Sequence, residues 1–366
     1  MPAYDYLIVG AGYAGCVLAE RLASQRDKKV LLIDRRSHIG GNAFDSLNEY
    51  GIRIHHYGPH LFHTNSEKVV SYLSQFTEWH PYEHRVRSLV NGVLVPMPIN
   101  RNTVNQLLGH SFVTDAEVEK FYEREREATR EIRNSEDFVV SKVGRKLYEL
   151  LYRGYTRKHW GREPSLLSPS VCGRLPVRTN TDDRYFDDRF QAMPLHGYTA
   201  MFTTMVSHKN IHLEVRTPFL DVPQNIFDRM IFTGPIDEFF GNCFGALAYR
   251  SLRFEFETHE KEFVQPVAQI NYPNDFDYTR TTEFKHITGQ KNLRTTVAKE
   301  YALDEGEPYY PIPQAEYLEL YQRYAAEAAK LSTVFFVGRL ATYQYYNMDQ
   351  VVAQALTLFE RLAQIS

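Results

Sequence analysis

The sequence predicts an α/β fold in which a parallel-sheet domain is interrupted by a helical-bundle domain and an antiparallel β-sheet domain. Three observations predict this architecture. The chain opens on an apolar strand, a glycine-rich turn and a helix; an Asn-Gly dipeptide later separates two β-rich runs; charged helical sequence follows it. A chain of 366 residues is long enough for two to three domains of typical size.

The composition is that of a globular protein, with 43% hydrophobic and 24% charged residues, and excludes a disordered or low-complexity chain. The formal net charge of −3 excludes a strongly basic protein built for nucleic acid or an anionic membrane surface. Any anion must therefore be held by a few local groups. Aromatic residues reach 14% and are mostly Tyr and Phe, and a buried tyrosine needs a polar partner.

The three cysteines, Cys16, Cys172 and Cys243, lack CxxC spacing, so the sequence predicts neither a disulfide framework nor a zinc site. No stretch approaches the roughly 18 apolar residues of a membrane span, and no basic leader precedes the first apolar run. We expect a cytoplasmic protein without membrane insertion and without nucleic acid as a partner.

The first forty residues predict a βαβ unit. Residues 6–9 are an apolar β-type run, Gly10-Ala-Gly-Tyr-Ala-Gly15 follows, residues 16–23 have helical apolar spacing, and residues 29–33 read as a buried parallel strand ending at Asp34. No internal repeat accompanies this unit.

The glycine spacing indicates a dinucleotide site. Gly10 permits the tight turn, Gly12 lets the backbone approach a pyrophosphate, and Gly15 allows close helix packing. Asp34, about 20 residues further on, is placed to accept from a ribose hydroxyl, which disfavours NADP but leaves NAD and FAD open. Residues 35–43 then add the pair Gly40-Gly41, which resembles the extended FAD signature of two-dinucleotide-fold flavoproteins.

Antiparallel and helical sequence follows. Residues 85–97 predict a hairpin turning at Asn91-Gly92, a type I′ dipeptide. Residues 114–134, capped by Thr114, and residues 138–155 predict two helices. Residues 173–188 are polar and broken, which predicts a mobile loop.

The remaining chain alternates strands and helices and returns to the first domain. Strands are predicted at 211–215, 229–233, 263–272, 278–286, 294–301 and 333–337. Helices are predicted at 197–206, 314–331 and 347–362.

The chain resembles the bacterial UDP-galactopyranose mutase family over nearly its whole length. The segments that carry the resemblance are Gly40-Gly-Asn-Ala43, Tyr57-Gly-Pro-His-Leu-Phe-His-Thr64, Gly154-Tyr-Thr-Arg-Lys-His-Trp-Gly161, Arg174-Leu-Pro-Val-Arg178, Thr233-Gly-Pro-Ile-Asp237, Glu307-Pro-Tyr-Tyr-Pro311 and Gly338-Arg-Leu-Ala341 with Tyr345-Tyr346. The resemblance implies three parts. They are an FAD-binding Rossmann-like domain of residues 1–80, 191–245 and 312–366, a helical domain of residues 99–190 with the uridine site and mobile loop, and an antiparallel sheet domain of residues 81–98 and 246–311.

The resemblance implies an isomerase that interconverts UDP-galactopyranose and UDP-galactofuranose for galactofuranose-containing cell-surface glycans. The implied mechanism is a covalent adduct between the sugar's anomeric carbon and N5 of reduced FAD. It further implies a homodimer and an outside reductant for the flavin.

A near-neutral protein needs placed cations to hold a diphosphate. The resemblance identifies Arg174 and Arg280 as those cations and as candidate catalytic residues, with His63 in support behind the flavin. Further substrate-binding residues implied by the resemblance are Tyr152, Tyr155, Thr156, Trp160, Tyr185, Asn271, Tyr310, Tyr345 and His84.

The resemblance also extends the FAD site beyond the phosphate loop. The cofactor-binding residues it implies, with those already derived, are Gly10, Gly12, Tyr13, Gly15, Asp34, Arg35, Gly41, Asn42, His60, Leu61, Phe219, Arg339, Tyr346, Asn347, Met348 and Val351. Two positions depart from the family pattern. Asn347 stands where many members carry Asp, and His84 lies in a segment that elsewhere contains Asn.

A cluster of histidines, His55, His56, His60 and His63, also fits a metal site by spacing. No cysteine lies near it and the family needs no metal, so we expect none.

Three other functions stay open. An amine-oxidase-type FAD oxidoreductase shares the glycine loop and the FAD signature. A second alternative is a sugar-nucleotide-binding or regulatory protein in which the flavin site is vestigial. A mutase preferring UDP-N-acetylgalactosamine would differ only in a sugar pocket that residue identities do not reveal.

Overall fold

The computed structural model describes residues 2–128, 131–362 and 364. Its strands are β1 (Tyr4–Val9), β2 (Val30–Asp34), β3 (Asp45–Leu47), β4 (Arg53–His55), β5 (Phe62–Thr64), β6 (Trp79–Pro81), β7 (Val86–Val90), β8 (Val93–Met97), β9 (Phe190–Pro194), β10 (Ile211–Val215), β11 (Phe227–Phe232), β12 (Tyr249–His259), β13 (Gln269–Asn271), β14 (Arg280–Glu283), β15 (Thr295–Leu303), β16 (Tyr310–Pro311) and β17 (Val334–Phe336).

The α-helices are α1 (Tyr13–Arg26), α2 (Glu67–Leu73), α3 (Arg101–Leu108), α4 (Asp115–Glu125), α5 (Ser135–Val143), α6 (Arg145–Leu147), α7 (Gly154–Trp160), α8 (Tyr198–Met205), α9 (Ile236–Phe239), α10 (Phe284–Thr288), α11 (Ala315–Ala328) and α12 (Met348–Leu362). A π-helical turn, Tyr148–Arg153, leads into α7.

A five-stranded parallel sheet, in the order β10-β2-β1-β11-β17, forms the first layer. Its central strands are apolar and fully buried, as in Leu7 and Ile8 of β1 and Leu32 of β2, because helices cover both faces of such a sheet. Helix α12, at the end of the chain, packs against α1. The predicted βαβ unit and the return of the chain to this sheet are confirmed.

A seven-stranded sheet, in the order β16-β12-β15-β14-β13-β7-β8, forms the second layer. Its hairpin turns at Asn91 and Gly92, with φ of 51° and 80°, so the predicted type I′ turn is confirmed. The sheet is antiparallel as predicted, except that β13 pairs with β7 in parallel. The whole helical region lies between these two strands in sequence, so no short turn forces them to run in opposite directions.

The helical region is more broken than the sequence predicts. The helix predicted over 114–134 begins with the expected capping box at Thr114 but ends at Glu125. Beyond it, the Glu127 N–H donates to the Val140 carbonyl instead of continuing the helix. The helix predicted over 138–155 is interrupted at Gly144, whose φ of +82° and ψ of 169° are not helical.

Two predicted strands are much shorter than expected. The first of them is shortened by the buried carboxylate of Glu283. It accepts from the N–H groups of Val264 and Gln265, which therefore form no strand ladder, and from the Thr295 hydroxyl. Strand 263–272 is thus reduced to β13. Strand 278–286 is reduced to β14, with α10 following directly.

Within the described part of the chain, no helix has both the length and the apolar character that crossing a bilayer requires.

Substitution of Gly15 by Ala tests the crossing of β1 and α1. An added Cβ would lie 1.9 Å from the Gly10 carbonyl oxygen, so the strand and the helix must separate. We expect a loss of about 1–3 kcal/mol in the free energy of unfolding, measured by urea denaturation, together with loss of bound cofactor.

Gly109→Ala is the matched control. Its Cβ meets no atom within 4 Å, so its cost is confined to about 1 kcal/mol of backbone strain at a φ of +71°. Equal losses in the two variants would contradict the close-packing role of Gly15.

Candidate functional site

The turn between β1 and α1 forms an open anion cradle. Helix α1 begins after Gly12 with no side-chain cap on its N-terminal N–H groups and no acidic residue in its first turn. An added Cβ on Gly12 would lie 3.7 Å from the Cα of Gly41, so two glycine backbones approach each other here. Uncapped N–H groups at a helix N-terminus favour a phosphate.

Asp34 ends β2 beside this cradle and holds the turn in place. Its buried carboxylate accepts from the N–H groups of Ala11 and Arg36, each at 2.8 Å. Each oxygen keeps lone pairs for a further donor. The predicted ribose contact stays a prediction.

A first cavity, of about 390 Å³, lies over the turn. The predicted cofactor residues on its wall are Gly10, Gly12, Tyr13, Asp34, Arg35, Gly41, Asn42, His60, Phe219, Arg339, Met348 and Val351. Leu61 and Asn347 line the neighbouring cavity instead. Gly15 packs beneath Gly10, and Tyr346 presents its carbonyl to the Arg339 guanidinium at 2.6 Å.

A second cavity, of about 530 Å³, adjoins the first and shares His60, Arg339 and Met348 with it. Every residue predicted for the substrate lies on its wall, namely His63, His84, Tyr152, Tyr155, Thr156, Trp160, Arg174, Tyr185, Asn271, Arg280, Tyr310 and Tyr345. His63 lies on β5, and the other residues come from the helical region and the loop that follows it, the second sheet with the segment leading into it, and the last loop of the chain. The fold therefore brings them together although they are distant in sequence.

Arg280 is fixed by a buried carboxylate. It lies directly opposite Glu300 on the neighbouring strand β15, and its Nε and Nη2 both donate to Glu300 Oε2 at 2.8 Å. Burial alone would lower the pKa of Arg280, but the charge of Glu300 outweighs it and the pKa lies well above its usual value. Arg280 thus stays cationic and held in one orientation.

Arg174 and Arg339 make no ion pair with any residue in the described chain. The Arg174 guanidinium lies 3.7 Å from the centre of the Tyr345 ring and donates to the Tyr345 carbonyl. Arg339 lies 5.3 Å from the same ring. Two cations without carboxylate partners among the described residues, both lining one cavity, are suited to bind an anion.

The cavity also contains an aromatic sleeve, which we define as Tyr155, Trp160, Tyr310 and Tyr345. The Tyr310 and Tyr345 rings are 5.1 Å apart and nearly perpendicular, and Trp160 meets Tyr345 edge-on at 5.8 Å. Burial raises the pKa of Tyr155 and of Tyr310. Their hydroxyls therefore remain protonated and able to donate at neutral pH.

Three buried histidines of the cavity, His60, His84 and His159, are uncharged at neutral pH. Burial lowers the pKa of His60, of His84 and of His159 to about 3 in each case. His63 Nδ1 bonds to an Asp188 oxygen at 2.7 Å, and its ring stacks on Phe186. The rings of His60, His84 and His159 thus offer neutral hydrogen bonds to a ligand.

The histidine run does not converge on one point. His55 Nδ1 accepts from the His60 N–H, and His56 bonds to the Ser46 hydroxyl. Across residues 2–128, 131–362 and 364, no group of three His, Cys, Asp or Glu side chains is placed to hold a metal ion.

The last helix, α12, points its N-terminus at both cavities. The Asn347 N–H is already occupied by Gln350 Oε1 at 2.8 Å, so this group is not free for a ligand. The Asp349 carboxylate accepts from the Thr64 hydroxyl at 2.8 Å.

The sequence did not identify several residues of the second cavity, among them His159, Gln269, Phe186, Asp187 and Asp188. A histidine between a lysine and a tryptophan on a helix gives no signal that separates a ligand contact from core packing. The Gln269 amide donates to Asn271 Oδ1 at 2.8 Å, a contact visible only once β13 is in place.

Comparisons with known proteins agree with this geometry. Residues 150–345 match the family model described as UDP-galactopyranose mutase, and residues 8–76 match the NAD(P)-binding Rossmann-like domain. A probable UDP-galactopyranose mutase of Klebsiella pneumoniae is 40% identical over 96% of this chain and 93% of its own length. A dTDP-fucopyranose mutase of Escherichia coli is 34% identical, with 96% of each chain covered.

The fold agrees as well. A crystal structure of reduced UDP-galactopyranose mutase superposes with a TM-score of 0.81 at 16% identity, covering 100% of this chain and 95% of the other. A putrescine oxidase superposes with a TM-score of 0.63 at 11% identity, covering 99% of each chain. The predicted α/β fold with a Rossmann-like domain and the predicted family are confirmed. The chain belongs to the UDP-galactopyranose mutase family, a family of FAD-dependent isomerases.

Proposed function

We propose that the protein interconverts UDP-galactopyranose and UDP-galactofuranose. The observation that carries the proposal is the meeting of the two cavities at His60, Arg339 and Met348. One cavity has the form of a dinucleotide site, and the other has cations and hydroxyls suited to a sugar nucleotide. The reacting ends of a cofactor and a substrate would meet at this junction.

The first cavity fits FAD. The Gly12 and Gly41 backbones leave room that a Cβ would fill, and the uncapped N-terminus of α1 faces a pyrophosphate. Arg339 and Met348, the first residue of α12, line both cavities, so the flavin ring would reach the second cavity beside them. When bound and reduced, FAD would supply N5 as the nucleophile that forms a covalent adduct at the anomeric carbon of the sugar.

The chain's own residues would bind and orient the substrate. Arg280, held by Glu300, and Arg174, which has no carboxylate partner among the described residues, would bracket the diphosphate. The hydroxyls of Tyr310 and Tyr345 would donate to its oxygens, and the Tyr155 ring would stack on uracil. A leaving diphosphate held in this way stays in place to return to the sugar after ring contraction.

The cavity's protonation states fit this assignment. Ring contraction involves no net oxidation, and the neutral His60, His84 and His159 form no strong acid–base pair with the protonated tyrosines Tyr155 and Tyr310. The protein's contribution would then be position and electrostatics. The putrescine oxidase similarity, at 11% identity, supports only the fold and not an oxidase reaction.

The cellular setting of the protein can be proposed as well. We propose a cytoplasmic homodimer whose flavin is kept reduced by a separate donor and whose product enters galactofuranose-containing surface glycans. The three cysteines are unpaired, as expected in a reducing compartment. Sedimentation of the holoenzyme would give the oligomeric state.

The first prediction concerns the redox state of the cofactor. Enzyme reduced with dithionite should convert UDP-galactofuranose to UDP-galactopyranose, and the oxidised enzyme should not, because only reduced FAD has a nucleophilic N5. Anaerobic chromatography of the sugar nucleotides measures both. UDP-N-acetylgalactosamine and a dTDP-fucopyranose substrate are parallel assays. Equal rates for oxidised and reduced enzyme would refute the mechanism, and substrate-dependent peroxide release would point to an oxidase.

The second prediction concerns Arg174. Arg174→Ala removes a charge-assisted contact to the diphosphate, and we expect kcat/KM to fall by about 30- to 1,000-fold with unchanged flavin content. Arg174→Lys should recover only part of this loss, because an ammonium lacks the planar fork of a guanidinium. Arg189→Ala, an exposed arginine of the next loop that lies outside both cavities, is the control. Full activity of Arg174→Ala would exclude the diphosphate role.

A further inference from the structure

The ammonium group of Lys158 caps a loop that the proposed mechanism does not use. Its Nζ lies within hydrogen-bonding distance of four carbonyl oxygens, those of Asp275 at 2.9 Å, Phe276 at 3.1 Å, Tyr278 at 3.3 Å and Tyr272, which share its three N–H donors. One side chain therefore collects four backbone acceptors from a single turn. Lys158 itself lines neither cavity.

The capped loop joins β13 to β14, and its two ends reach the second cavity. Asn271 ends β13 and Arg280 begins β14, and both side chains are on the cavity wall. Tyr155 and Trp160, which line the same cavity, belong to α7, the same helix as Lys158. The ammonium thus connects α7 to the β13–β14 loop at a point outside the cavity.

A second contact brings the same two elements together. At Gly154, the first residue of α7, an added Cβ would lie 2.5 Å from the Pro273 carbonyl oxygen and 2.5 Å from Asn274 Oδ1. The Asn274 amide in turn donates to the Leu150 carbonyl at 3.0 Å. The loop therefore docks directly on the helix backbone, and a glycine is needed for that approach.

We propose that Lys158 is a positioning residue that fixes the spacing between the Tyr155 wall and the Arg280 wall of the substrate cavity. The inference rests on the proposed function, since that spacing matters for a ligand that spans uracil and diphosphate. A neutral or missing group at this position would leave the loop carbonyls without their shared donor. The loop would then separate from α7, and the distance from Tyr155 to Asn271 and Arg280, which the second sheet holds, would no longer be fixed.

The surroundings of Lys158 add a pH dependence. Burial lowers its pKa to about 8, with Asp275 and Asp277 acting to raise it and Arg157 acting to lower it further. The protonated form holds the loop, so ligand affinity should be highest below pH 8 and should fall as the pH rises through that value.

The experiment measures UDP binding to the oxidised holoenzyme by calorimetry, alongside kcat and KM of the reduced enzyme. For Lys158→Met we expect the Kd for UDP and the KM to rise about 3- to 30-fold, with a much smaller change in kcat and unchanged flavin content. Lys158→Arg should recover part of the affinity. The matched control is Arg157→Met, which removes a neighbouring, exposed cation that lies 3.7 Å from Glu163; it should leave both constants unchanged.

Two further measurements do not depend on the stability of the methionine variant. Gly154→Ala should weaken UDP binding in the same way, because its methyl group displaces the loop. In the wild type the Kd should rise above pH 8, and in Lys158→Arg it should stay flat. Wild-type UDP affinity in Lys158→Met, or an equal loss in Arg157→Met, would overturn the inference. Failure of the reduced wild type to convert either UDP-sugar would instead refute the proposed function, whatever the variants do to UDP binding.

Discussion

The buried pair of Arg280 and Glu300 is the interaction on which the substrate cavity depends. Glu300 is 2% exposed, so its charge would be costly without a partner, and Arg280 supplies that partner from the adjacent strand. The Glu300 carbonyl also accepts from the Thr279 N–H, which fixes the end of the β13–β14 loop. His159 on α7 lies 3.9 Å from the same carboxylate. Glu300 thus contacts the second sheet, the β13–β14 loop and helix α7, which carries Tyr155 and Trp160.

This pair also clarifies how a protein of net charge −3 binds an anion. Most arginines in the described chain are paired with a carboxylate, as Arg145 is with Glu127 and Glu136. At the cavity, Arg280 is held by its partner while Arg174 and Arg339 contact only aromatic rings and carbonyls. The positive field is therefore local, and it does not require a basic surface.

The parts that the sequence predicted are those encoded by neighbouring residues. The phosphate loop needs only Gly10, Gly12 and Gly15 between a strand and a helix, and the hairpin needs only Asn91-Gly92. The break at Gly144 could not be predicted, because a glycine inside an apolar helical pattern does not reveal its φ; in the structure an added Cβ there would lie 2.3 Å from the Glu125 carbonyl oxygen. The hydrogen bonds from Val264 and Gln265 to Glu283 could not be predicted either, because a single buried carboxylate there joins segments about 20 residues apart. The substrate residues were predicted by family resemblance, and local pattern alone would not have assembled them.

In the irregular segment that carries Arg174, residues 178–187 make more hydrogen bonds to the rest of the structure than Arg174 does. Arg178 is buried, and its guanidinium donates to the Asp182 carbonyl and pairs with Asp187. The Tyr185 N–H donates to the His84 carbonyl at 2.7 Å, so residues 178–187 are cross-linked to each other and to the segment that leads into β7. Arg174 precedes these anchors and is held by its contacts with Tyr345. We therefore expect any closing motion over the diphosphate to be confined to residues 171–177, because movement of the later residues would break their hydrogen bonds. Arg174 can move because a bound anion would replace its contacts with the Tyr345 carbonyl and ring.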